Sequence, residues 1–340
     1  MTNTSQSVER LQNSLIQRTF NIISYKNAAM PKTSQNPADY IVPLNINGMD
    51  GRMLYMPAPK GKEGREILFV YGHHSSLERW WGVTQVLNRY AAVTMPDLPG
   101  FGGMDSFYTI GKKPSIDNLA DYLAAFIMLR YKRKKIVIAG MSFGFVVATR
   151  MLQRYPDLSK RVTLMVSVVG FAHRDDFTFS KIRYYSYLWL ARCMTLRPTA
   201  WIFRYVFLSP VVLRIAYHRT SNAKHKFAQA TNAEEFKRQM DVEIGLWHSN
   251  DLRTHMYTNA QFLTLDNCGS RVAVPLWHVS AKTDHFFNHH IVEQHLRIIY
   301  KDFHTASADL KNHAPSVIAD EKAALPLFPP QLRRVLARLK

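Results

Sequence analysis

A chain of 340 residues with 47% hydrophobic and 12% aromatic content buries a large core, which excludes disorder, and the lack of a self-similar period excludes a solenoid or propeller. Lys and Arg outnumber Asp and Glu by 44 to 25, a formal charge of +19 whose field draws nucleic acid, anionic membrane surfaces or acidic ligands without choosing among them. The two cysteines, Cys193 and Cys268, match no metal-ligand spacing and form at most one bridge, which excludes a disulfide scaffold and fits a reducing compartment.

In chain order, residues 1–20 are polar and lack the apolar core of a signal peptide, and residues 1–35 read as a helix and loose arm. Residues 40–45 and 52–56 flank Asn47, Gly48, Asp50 and Gly51, the pattern of an antiparallel hairpin at a sheet edge. Apolar runs then alternate with helical patterns: run 67–71, helix 77–90, run 91–95, helix 115–131, run 135–139, helix 145–155 and run 162–169. That alternation predicts a parallel sheet covered by helices, an α/β fold.

From 171 to 271 the alternation stops and the pattern is helical, with no clear strand. It resumes with a run at 274–280, a helix at 288–300, a short run at 304–310 and a C-terminal helix after Pro330. The predicted organisation is therefore a core over 36–170 and 272–340, interrupted by a helical cap over 171–271. No uninterrupted apolar stretch reaches the roughly eighteen residues of a membrane span. The nearest, 200–217, is broken by Arg204, Ser209, Pro210 and Arg214, which argues against spanning and leaves surface contact open.

Gly140-Met141-Ser142-Phe143-Gly144 stands between an apolar run and a helical pattern. A serine on so sharp a strand-to-helix turn is strained, and side chains at the flanking glycine positions would crowd it. The backbone N–H of Phe143 then falls at a helix N-terminus, where it can donate to an oxyanion formed when Ser142 attacks a carbonyl. The loop Gly72-His73-His74-Ser75-Ser76, after the run 67–71, can present the N–H of His73 as a second donor.

A serine hydroxyl needs a base, and the base needs a group that fixes its tautomer and stabilises its cation. Asp284 follows the run ending at Ser280, and His313 follows the next short run, giving the order Ser, Asp, His with each residue beyond a strand. Asp175 and Asp176 are rivals for the acid. His304, His285, His289 and His290 are rivals for the base. His285 and His289 stand four apart, as on one helical face, but lack a third ligand, so no metal is expected.

With these motifs, the chain from about residue 40 onward resembles the capped α/β-hydrolase family, which includes esterases, lipases, carbon–carbon bond hydrolases, haloalkane dehalogenases and epoxide hydrolases. Asp97-Leu98-Pro99-Gly100-Phe101-Gly102 is similar to a structural turn of that family. The sequence departs from the family at Tyr71-Gly72, where His-Gly is usual. The resemblance implies an α/β-hydrolase fold, no cofactor, and acyl chemistry on Ser142, since the dehalogenases and epoxide hydrolases use a carboxylate nucleophile. The expected activity is hydrolysis of an ester of a small or lipid-like substrate, in the cytoplasm or at a membrane. A carbon–carbon bond hydrolase or acyltransferase on the same triad is the alternative, and a non-catalytic binding protein of this fold is the alternative of another class.

The cap has its own signature. Between Phe177 and Ala233 there is no Asp or Glu, while nine Lys and Arg alternate with aromatics such as Tyr184, Tyr185, Trp189, Trp201, Phe203, Tyr205 and Phe207. In one reading the lid packs its aromatics onto the core and points its bases at water. In the other its surface holds an anionic lipid head group or an acidic acyl substrate while the aromatics line an apolar channel. Nucleic acid is set aside because no recognition motif accompanies the bases.

Overall fold

The computed structural model describes residues 36–219, 232–282, 284, 286–308 and 320–339; the arm expected over 1–35 lies outside them. Strands β1 (Ile41–Ile46) and β2 (Met49–Met56) form the expected hairpin, with Ile46 opposite Met49. The turn residues Asn47 and Gly48 take φ of 54° and 76°, the left-handed conformations that Asn and Gly tolerate.

Six further strands complete the sheet among the described residues: β3 (Glu66–Val70), β4 (Ala92–Pro96), β5 (Ile136–Met141), β6 (Val162–Val168), β7 (Leu276–Ala281) and β8 (Phe303–Ala308). Their order is β1-β2-β4-β3-β5-β6-β7-β8, with β3 to β8 parallel and β2 antiparallel to β4. Every residue of β3, β4 and β5 is buried, which explains why they read as continuous apolar runs: helices cover both faces.

Helices α1 (Trp81–Asn88), α2 (Ile116–Tyr131) and α3 (Phe143–Arg154) connect these strands. The Ser115 hydroxyl caps α2 by accepting the Asn118 N–H at 3.1 Å. The helix expected from 145 starts two residues earlier, at Phe143, because Ser142 alone makes the turn out of β5.

Between β6 and β7 runs the cap: α4 (Lys181–Cys193), α5 (Arg197–Ile202), a π-helical turn (Phe203–Phe207), α6 (Pro210–Arg219), α7 (Ala233–Ser249) and α8 (Leu252–Leu263). It has a small apolar cluster of its own around Leu208, Leu213, Met240, Ile244 and Leu252, separate from the main core. Its entry and exit are joined by backbone hydrogen bonds from Arg174 to Leu265 (2.9 Å) and from Asn267 to Ala172 (3.1 Å). The reading in which the cap packs its aromatics onto the core fails for Tyr185, Trp189, Trp201 and Tyr205, which are 62–69% exposed. Their place under the cap is taken by Phe171, Phe177, Phe262 and Phe287, whose rings pack on one another.

After β7, α9 (His289–Ile299) begins at an Asn288 cap, and α10 (Pro330–Ala337) ends the described chain. His289 is thus the first residue of α9, and His285, the residue expected to share a helical face with it, lies outside the described residues.

Candidate active site

The site begins at the turn from β5 into α3. Ser142 holds φ 47° and ψ −118°, a conformation costly for a residue with a side chain. Its neighbours leave little choice. A Cβ on Gly144 would lie 2.2 Å from the Val70 carbonyl oxygen, and one on Gly140 would lie 2.6 Å from Phe145 Cα. The Ser142 N–H donates to the Val168 carbonyl of β6 at 2.9 Å, which fixes the serine at the carboxyl edge of the sheet.

Ser142 opens on a cavity of about 680 Å³, walled on the core side by Gly72, His73, Met141 and Phe143. The cap supplies Tyr187, Leu190 and Ala191 from α4, Trp247 from α7, and His255, Asn259 and Phe262 from α8. The last three recur at helical spacing, a polar and aromatic stripe that sequence reading could have marked and did not. The four packed phenylalanines make one side of the wall apolar, and Arg79 also lines the cavity.

Phe143 is the first residue of α3, so its amide has no acceptor one turn back within the helix. His73 belongs to the loop after β3, and that loop lies against the serine turn: a Cβ on Gly72 would sit 3.4 Å from Ser142 Cβ. The His73 ring shares a 2.7 Å hydrogen bond with the Thr258 hydroxyl and packs at 4.3 Å on His255. Desolvation, with His255 adding to it, pushes its pKa well below the ordinary histidine range, so the ring is neutral.

Asp284 follows β7 on the same carboxyl edge, half-buried, and its Oδ1 accepts the N–H groups of Phe286 (2.8 Å) and Phe287 (3.3 Å), both residues of the cavity wall. The rival Asp176 is fully buried and already committed. Its Oδ2 accepts the N–H groups of Ala172 (2.7 Å) and His173 (2.9 Å), and its Oδ1 meets His295 Nδ1 at 2.6 Å. Asp175 is exposed.

His313 and His285 lie outside the described residues. His304 stands at the amino-terminal start of β8, stacked on Trp277 at 5.0 Å and paired with Asp302 at 2.9 Å, so the parallel sheet puts it at the edge opposite Ser142. His289 and His290 open α9, and His290 bonds Gln294 at 3.1 Å. The end of β8 pairs with the end of β7, Ala308 opposite Ala281, so β8 ends at the same edge of the sheet as Ser142 and Asp284.

A parallel sheet with an antiparallel hairpin, a serine turn after β5 and a helical cap after β6 is a known arrangement, and residues 66–192 match the model of the alpha/beta hydrolase fold. This chain has the α/β-hydrolase fold. Among solved structures it is similar to a bacterial membrane phospholipase A, at 12% identity over 88% of this chain and 87% of that one, with a TM-score of 0.60. It is likewise similar to a hydrolase from Oleispira antarctica (11%, 84% and 94%, 0.59) and to the enol-lactonase from Burkholderia xenovorans (14%, 79% and 91%, 0.55).

Within this fold the departure at Tyr71 has a structural explanation. The Tyr71 hydroxyl donates to Asp97 Oδ1 and accepts the Leu98 N–H, each at 2.8 Å, while Arg52 reaches Asp97 Oδ2 at 3.1 Å. Burial pushes the Asp97 carboxyl well up, against the pull of Arg52. The glycines of the turn after β4 make room for this link, since a Cβ on Gly102 would meet Asp97 Oδ1 at 1.9 Å.

Proposed function

We propose that this α/β-hydrolase is a serine hydrolase that cleaves a carboxylic ester, or a related acyl bond, of a small or lipid-like substrate through an acyl-enzyme. The observation that carries this reading is Ser142, held at φ 47° on the β5–α3 turn and opening on an apolar cavity of about 680 Å³. Strain of this kind persists only where surrounding contacts enforce it, and it exposes the hydroxyl at the head of a helix.

Ser142 Oγ attacks the substrate carbonyl carbon while its proton passes to His313, assigned as base from its position beyond β8. The N–H groups of Phe143 and His73 hold the oxyanion. Collapse expels the alcohol, which takes the proton back from His313. Water then gives a proton to His313 and attacks the acyl carbon, and the acid leaves as Ser142 regains its proton. Asp284 stays ionised and orients the imidazole. The phenylalanine wall receives an acyl chain or aromatic ring, so the preferred substrate is apolar on the side facing Phe171, Phe177, Phe262 and Phe287.

The test is a fluorophosphonate probe on the parent and on Ser142→Ala, followed by peptide mapping. Labelling confined to the peptide carrying Ser142, and absent from the variant, is expected. A folded parent that takes no label, while turning over no short-chain ester, would overturn the reading in favour of a binding protein.

A further inference from the structure

The cap carries a second surface, directed away from the cavity. On α4, Ile182, Tyr185 and Trp189 follow at helical spacing and are 83%, 66% and 69% exposed. Leu196, Trp201, Tyr205, Phe207 and Val211 continue the apolar surface along α5, the π-helical turn and the start of α6, each more than half exposed. Single exposed apolar residues are ordinary, but a run of them across three consecutive helical segments marks a contact surface.

Charge says what it contacts. The segment between Phe177 and Ala233 holds nine Lys and Arg and no Asp or Glu. Arg204 is bound to the carbonyls of His248 (2.8 Å) and Asn250 (3.3 Å), and Arg214 pairs with Asp241 at 3.1 Å. Among the described residues, Lys181, Arg192 and Arg197 make no ion pair. Lys181, Tyr185, Trp189 and Arg192 follow one another at steps of three and four, so cations flank the aromatics on one helix face. A second copy of the chain would bring like charges together across a twofold axis, which disfavours self-association.

No single helix among the described residues is long and apolar enough to cross a membrane. Two segments, Arg197–Phe207 and Pro210–Ala216, have the combined length and apolarity of a span but are bent by 71° at the break. A bent, basic, aromatic-rich pair of this kind suits lying in the bilayer interface.

We propose that the outer surface of α4, α5 and α6 is a docking face for an anionic lipid bilayer. Its aromatic and aliphatic side chains enter the boundary between headgroups and acyl chains, and Lys181, Arg192 and Arg197 meet acidic headgroups. On α4 the same helix gives Tyr187, Leu190 and Ala191 to the cavity wall, so the docking face and the cavity are separated by one helix. Docking does not require the chemistry of Ser142.

The test is co-flotation of the full chain with vesicles of phosphatidylcholine alone and of phosphatidylcholine mixed with phosphatidylglycerol, at low and high salt. Binding to the mixed vesicles, weaker on the neutral ones and reduced by salt, is expected. The triple variant Lys181→Gln, Arg192→Gln, Arg197→Gln loses about fivefold in partitioning per charge, roughly a hundredfold in all. The variant Trp189→Ser, Trp201→Ser loses binding to both vesicle types, with circular dichroism unchanged from the parent. Ser142→Ala floats as the parent does. A folded parent that floats with neither vesicle, or with both equally and regardless of salt, overturns the proposal. So does a dimer in sedimentation that the tryptophan variant dissolves while vesicles leave it untouched.

Discussion

The Tyr71 hydroxyl and the Asp97 carboxylate meet at 2.8 Å in a place sealed from solvent, tying the residue that follows β3 to the turn that follows β4. Tyr122 adds a hydrogen bond to the Asp97 carbonyl at 2.9 Å, so three segments distant in sequence share one carboxylate residue. The loop that carries His73 starts from this anchor.

Tyr71→Phe removes one hydroxyl and leaves both an Asp97 oxygen and the Leu98 N–H without that partner. Burying polar groups unsatisfied costs about 1–3 kcal/mol, and urea unfolding followed by circular dichroism is expected to show a loss of that size. An unchanged midpoint would mean that water replaces the hydroxyl, since it can both donate to Asp97 and accept the Leu98 N–H.

Asp284→Asn and Asp176→Asn separate the two candidate acids. Asp284→Asn is expected to lower kcat on a short-chain ester by roughly 10⁴, the cost of a wrongly held tautomer, with unfolding little changed. Asp176→Asn weakens a buried carboxylate's bonds to two N–H groups and His295, so it is expected to cost about 2–3 kcal/mol of stability and leave kcat within a few fold. The opposite pattern in paired kinetics and unfolding would transfer the acid role to Asp176.

His278 on β7 shares a 2.9 Å hydrogen bond with Ser167, and burial, with His289 nearby, pushes its pKa from the ordinary 6.5 down to about 3. The folded imidazole therefore stays neutral while the unfolded one takes up a proton below about pH 6.5. Between those values the unfolded state binds more protons, so stability is full above pH 6.5 and falls as pH drops, by up to about 1.4 kcal/mol per pH unit. Urea midpoints from pH 4 to 8 are expected to show a steeper acid decline for the parent than for His278→Asn, and parallel curves would remove His278 as the cause.

Strands β3, β4 and β5 were legible, to within a residue or two at their ends, because each is buried on both faces, so composition alone marks them. The serine turn was legible because Val70 and Phe145 crowd it so closely that only glycine fits at 140 and 144. The link among Arg52, Tyr71 and Asp97 was not, because the strand order 2-4-3 that unites them leaves no local pattern. Nor was the exposure of Trp189 and Trp201. An apolar residue announces that it seeks a contact, and its sequence does not say whether the chain itself supplies one.

The two ends of the cap meet where Arg174 bonds Leu265 and Asn267 bonds Ala172, and they join β6 and β7, strands that pair directly at Met165 opposite Leu276. The excursion from the sheet therefore leaves and returns through one doorway, with an apolar cluster inside it that draws nothing from the strands. The turn that holds Ser142 meets these helices at α8, where Thr258 bonds His73 and Phe262 packs on Phe143. Such a chain can trade one clientele for another by rewriting a single contiguous stretch of its gene, while the chemistry beneath is inherited intact.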